Sequence, residues 1–146
     1  MKKIFLMLAV IISSAAMAVA SDVIGHNALS LPAAAQTELK RNFKAEVSLV
    51  KADKTLGRIT EYEAILTDGT EVTFDRSGNW KEVEVRRNGE VPSAYVPAEI
   101  KSYVKQYQKG AKVIGIEKTR SGYDVELSNG VDMKFAKDGK FKGYDD

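Results

Sequence analysis

The sequence predicts an α+β fold, two tandem helix-plus-four-strand repeats forming one antiparallel sheet with both helices on one face. Three observations carry that expectation. The stretch LTDGTEVTFDRSGNW at 66–80 returns as LSNGVDMKFAKDGKF at 127–141, with Leu66/Leu127, Gly69/Gly130, Phe74/Phe135 and Gly78/Gly139 identical at a constant offset of 61. Each copy follows a proline-opened segment with a helical apolar stripe. Between the glycine-bearing turns, apolar and polar residues alternate with the period of a half-buried strand.

The helices come first in each copy. LPAAAQTELKRNF at 31–43 and VPAEIKSYVKQYQ at 96–108 begin with Pro32 and Pro97, suited to a first helical position where the missing N–H costs nothing. Ala35, Leu39 and Phe43 recur every four residues, as do Ile100 and Val104, so each helix has one stripe to bury. A β-rich run follows at 46–50 and 112–116, then a polar turn, longer in the first copy at Lys51–Arg58. Asp68-Gly69 and Asn129-Gly130 are the pairs favoured in two-residue type I′ turns, so a tight hairpin is expected at each. Ser77-Gly78 and Asp138-Gly139 turn the chain again into NWKEVEV and KFKGY.

Period-two alternation assigns the faces. Tyr62, Ala64, Leu66, Val72 and Phe74 form the expected core in the first copy, with Tyr123, Val125, Leu127, Met133 and Phe135 in the second. The opposite face then carries Glu63, Ile65, Glu71 and Thr73, and later Asp124, Glu126, Asp132 and Lys134. One helix on four strands makes a thin layer, whereas two copies supply a core that one could hardly provide.

The first twenty residues read differently. Lys2 and Lys3, the apolar run Ile4–Ile12 and the small residues Ala18 and Ala20 form a secretory signal peptide, with cleavage expected after Ala20. The remainder, 21–146, is expected to be a single domain built from repeats at about 29–87 and 94–146, in a periplasmic or secreted location. Losing residues 1–20 removes two lysines and no acid, so the 22 basic residues become equal in number to the 20 acidic ones. Steering toward nucleic acid is thereby not supported. With no cysteine, thiol catalysis, Cys-ligated zinc and disulfide staples are excluded.

Together LPAAAQ, YEAILTDGTEVTFDRSGNW, VPAEIKSYVKQY and YDVELSNGVDMKFAKDGKF resemble the PepSY-like family of exported bacterial proteins, over roughly Leu29–Asp146. The resemblance implies a fold related to the β-lactamase inhibitor protein, itself a tandem of helix-plus-four-strand repeats that grips its enzyme with the open sheet face. It also implies the role proposed for PepSY-type modules, restraint of peptidases. The inhibitor's disulfides have no counterpart in this cysteine-free chain.

Chemistry-bearing motifs are sparse. The one histidine, His26, falls in an expected N-terminal tail, so Ser-His-Asp and Cys-His constellations are not available. Phosphate-cradling and dinucleotide glycine motifs are missing, and the acid spacing of DRSGNWKE is too sparse for a calcium loop. No catalytic residue, cofactor or metal is therefore expected. The expectation is a non-enzymatic module that binds an exported protein or peptide through the open face, using Trp80 with Glu63, Ile65, Glu71, Thr73 and Glu82. Against it stand a solvated face kept polar to prevent stacking, and a bulge at Gly78 that would turn Trp80 into the core. The alternatives are a small carboxylate-dependent hydrolase or lyase, and a small-ligand carrier, which would need an apolar cavity.

Overall fold

The computed structural model describes residues 20–145, so the expected signal peptide and its cleavage region lie outside the described residues apart from Ala20. Nine strands follow one another in chain order in a single sheet. They are β1 (Ala20–Gly25), β2 (Val47–Thr55), β3 (Arg58–Leu66), β4 (Glu71–Asp75), β5 (Trp80–Glu84), β6 (Val113–Thr119), β7 (Gly122–Leu127), β8 (Asp132–Ala136) and β9 (Phe141–Asp145). Two helices, α1 (Ala33–Asn42) and α2 (Ala98–Tyr107), each precede four of those strands. Contacts divide the chain into two compact units that meet in sequence between Glu82 and Val83, within β5.

In the first unit, Pro32 caps α1 one position earlier than expected, with ψ 147. The helix buries Ala35 and Leu39, while Val50, Ala52, Ala64, Leu66, Val72 and Phe74 supply the buried side of β2–β4. Tyr62, expected in that core, is only half-buried. It lies at the middle of β3, paired with Phe74. The turn at Gly78 presses on the first turn of α1. A β-carbon there would lie 2.9 Å from the Ala35 backbone nitrogen and 3.1 Å from the Ala34 Cβ, so only glycine fits.

In the second unit α2 buries Ile100 and Val104. Tyr103 meets Phe135 edge-on, with ring centroids 5.6 Å apart, and stacks on Phe141 at 4.4 Å. Val125, Leu127, Met133 and Phe135 are buried as expected, whereas Tyr123, like Tyr62, is half-buried.

Three local expectations are corrected. The segment expected as a tail forms β1, which pairs antiparallel with β2, and His26 directly follows it. The polar stretch expected as a long turn continues β2 to Thr55, and the reversal is the two-residue turn Leu56-Gly57, with both φ values positive at 51° and 75°. Asp68-Gly69 and Asn129-Gly130 do not form type I′ turns, because only their glycines have positive φ. Leu66 N–H instead donates to Thr70 O while Gly69 N–H donates to Leu66 O, a three-residue loop with glycine in the left-handed position, and the later copy repeats it. The aspartate serves a different purpose there: its Oδ1 accepts the Thr70 N–H at 2.9 Å.

Candidate functional site

Strand register brings most of the expected binding residues together. β3 and β4 pair Glu61 with Asp75, Glu63 with Thr73 and Ile65 with Glu71 on the face away from Ala64, Val72 and Phe74. β2 adds Lys51 opposite Glu63 and Asp53 opposite Glu61. Lys51 Nζ lies 3.6 Å from the Glu63 carboxylate, and Lys81 of β5 pairs with Glu61. The result is a polar patch in which cations and acids interleave.

That patch is less solvated than its composition suggests. Glu63 is 8% exposed and Thr73 is 9% exposed, whereas Ile65, Glu71 and Glu82 are half-buried. Burial pushes the Glu63 carboxyl above the ordinary carboxylate range; Lys51 draws it down, and repulsion from Glu71 raises it again. Asp75 ends on the other side of its usual value. Burial would raise it, but hydrogen bonds from Asn79, Ser77 and Gly78 outweigh that effect.

Trp80 belongs to the next strand. It is half-buried and opens β5, and its neighbour Lys81 reaches Glu61 on the polar face. Phe141, the residue at the matching offset in the second unit, sits opposite Phe135, followed by a shift in register, and stacks on α2. Strand register therefore gathers Glu63, Ile65, Glu71 and Thr73 on one face.

In the second unit the same side pairs Asp124 with Lys134, Glu126 with Asp132 and Asp132 with Asp145. Glu126 and Asp132 are both 3% exposed. Burial raises the Asp124 and Asp132 carboxyls, with Asp145 adding to each, while Lys134 and Lys142 lower Asp124. Among the described residues no three His, Cys, Asp or Glu side chains converge to hold a metal ion, and no helix is long and apolar enough to cross a membrane. Sequence reading missed an aromatic cluster of Tyr103, Tyr107, Phe141 and Tyr144, whose only sequence signal is the four-residue spacing of the two α2 tyrosines.

A family model described as beta-lactamase-inhibitor-like, PepSY-like matches residues 60–143. The chain belongs to this family. Three solved structures are similar to it along nearly their whole length. A Bacteroides thetaiotaomicron protein, described as a proposed calcium-regulated periplasmic protein, is 34% identical with TM-score 0.77, covering 86% of this chain and 97% of its own. A Bacteroides vulgatus periplasmic protein of unknown function is 33% identical with TM-score 0.80, covering 87% and 100%. A second from B. vulgatus, of the DUF2874 family, is 33% identical with TM-score 0.75, covering 86% and 97%. No curated protein matches the chain significantly. This PepSY-like protein is accordingly an exported, periplasmic one.

Proposed function

We propose that this PepSY-like protein is a non-enzymatic binding module. Its ligand is an exported protein or peptide, held against the polar face of β3 and β4 in inhibitor-like fashion. The observation that supports the reading is the in-register set Lys51, Glu63, Thr73, Glu71 and Ile65, a broad surface of mixed charge with an apolar member and a partly desolvated centre. Interfaces draw most of their energy from such desolvated centres ringed by polar contacts. The family's inhibitor-like description supports the same role. Trp80 takes a structural part in this reading, and Glu71, Ile65 and Glu82 at the accessible rim take the partner.

The test is affinity capture from the periplasmic fraction, followed by titration of the retained partner against variants. Glu71→Lys should weaken binding at least tenfold while leaving the thermal midpoint within a few degrees, and Trp80→Ala should lower the midpoint instead. Binding that ignores Glu71→Lys but falls with a change on the outer surface of α2, such as Lys105→Glu, would move the interface to the helices. One observation favours a carboxylate-dependent hydrolase as a second reading, the raised Glu63 carboxyl beside Glu71. Turnover abolished by Glu63→Gln would establish it.

A further inference from the structure

The first unit carries a groove away from the polar sheet face. It has a volume of about 600 Å³ and runs between the 3-10 turn Ala28–Ser30, the second half of α1 and the start of β2. That size falls within the usual range for small-molecule sites. Leu29, Leu39, Phe43 and Val47 give it an apolar lining, and Lys40 and Lys44 stand on its rim.

Two features ask for an explanation beyond folding. Leu29 is 81% exposed at the groove, yet it is held there, because the Asn27 side chain accepts its N–H at 2.9 Å. A leucine fixed in that position gains nothing from burial within the chain. Lys40, in the last turn of α1, and Lys44, two residues past its end, both line the groove, and among the described residues neither forms an ion pair. Favourable interaction with the negative end of α1 accounts for lysines near that terminus, but it does not account for the apolar wall facing them. Among the described lining residues Glu46 is the one acid, against Lys40 and Lys44, so they keep an excess of positive charge.

We propose that this groove binds an amphipathic small-molecule anion, with its apolar body along Leu29, Leu39 and Phe43 and its carboxylate between Lys40 and Lys44. The site is independent of the protein-binding face. The second unit offers an internal comparison, a groove of about 480 Å³ lined by Lys101, Val104 and Lys105. The helix segments of the two units are offset by 65 residues, as Pro32/Pro97 and Leu39/Val104 show, so Ala94 stands in the place of Leu29 while Lys105 and Lys109 match Lys40 and Lys44. An alanine in place of the leucine removes the apolar wall there, although both lysines are kept.

Titration of the full chain with hexanoate, octanoate and decanoate, kept below micelle formation and followed by calorimetry, tests the proposal. A single site is expected, with affinity rising by up to about fourfold for each added methylene. Decanol should bind at least fivefold more weakly than decanoate, and that gap should close in the double variant Lys40→Glu/Lys44→Glu. Leu29→Asp should abolish binding without lowering the melting temperature, since Leu29 is exposed. Affinity independent of chain length, equal binding of decanol, or binding that persists in Leu29→Asp would overturn the assignment. A wild-type dimer that becomes monomeric in Leu29→Asp would also overturn it, by making the groove an interface between copies.

Discussion

Gly130 and Gly139 allow the contact between α2 and its sheet to be measured by a difference. Both close a turn with the same hydrogen bonds: Gly130 N–H donates to Leu127 O and Gly139 N–H donates to Ala136 O. Both have φ 85°. Alanine at either position meets the same left-handed penalty, about 1–2 kcal/mol, and the same gain from a stiffer unfolded chain, about 0.4–1 kcal/mol. What differs is the surroundings. A β-carbon at 130 meets nothing within 4 Å, whereas one at 139 would lie 2.6 Å from the Glu99 Cβ in the first turn of α2. Glu99 Cβ is fixed to the helix backbone, so the helix or the turn must shift, at a further cost of about 1–3 kcal/mol. Urea unfolding followed by far-ultraviolet circular dichroism should therefore show Gly139→Ala less stable than Gly130→Ala by that margin, with equal denaturant slopes. Glu99→Gly in the Gly139→Ala background should recover part of the loss, as a coupling energy of about 0.5–3 kcal/mol. Equal losses at 130 and 139, within about 0.5 kcal/mol, would mean that α2 does not rest on that turn.

Other outcomes follow from the same structure. Phe74 and Phe135 are 0% and 1% exposed, so truncating either to Ala should cost about 3–5 kcal/mol in urea unfolding; a loss under about 1 kcal/mol at both would invert the strand faces. Leu56 sits at φ 51° while 83% exposed, so Leu56→Asn should relieve left-handed strain and stabilise the protein by about 0.5–1 kcal/mol, visible as a higher urea midpoint. Because the folded-state Glu63 carboxyl is raised, the folded protein holds that proton more tightly than the unfolded chain does. Its stabilising contribution is full below the unfolded carboxylate value of 4.5 and is lost as pH rises through the folded one. Glu63→Gln should thus gain stability relative to wild type between melts at pH 4 and pH 7, and a gain at pH 4 that vanishes by pH 7 would reverse the sign.

The elements most legible in the sequence were those written in local patterns. Pro32 and Pro97 mark the helix starts to within a residue, and the alternation through Ala64, Leu66, Val72 and Phe74 marks the buried side of the first unit. β1 was not legible, since SDVIG is short and has little alternation, and its partner is the polar half of β2. That half, LysAlaAspLysThr, looks like a turn in composition; pairing with β3 makes it a strand, and pairing is not a local property. The patch on β3 and β4 was legible as a set of residues but not as an environment. A glutamate in an alternating strand reads as solvated, whereas Glu63 is 8% exposed with Lys51 beside it. Trp80 was open between two faces because a single shift of register after a glycine turn exchanges them.

The offset of 61 separates what the architecture requires from what a site would use. Leu66/Leu127, Phe74/Phe135 and Gly78/Gly139 are identical where the side chain is buried or a β-carbon would strike a helix. The pairs that differ are of another kind. Thr73 corresponds to Lys134 and Ile65 to Glu126 on the polar face, and Leu29, across the 65-residue offset of the helix segments, to Ala94 at the rim of a groove. Exchanging an isoleucine for an acid, or an exposed leucine for an alanine, costs little in packing but changes which ligand the surface accepts. The two units therefore share a scaffold without sharing a surface. A partner of the Glu71 and Ile65 patch should not be recognised by the corresponding residues Asp132 and Glu126, and Ile65→Glu, which writes the second unit's residue into the first, should abolish that recognition while the fold is retained.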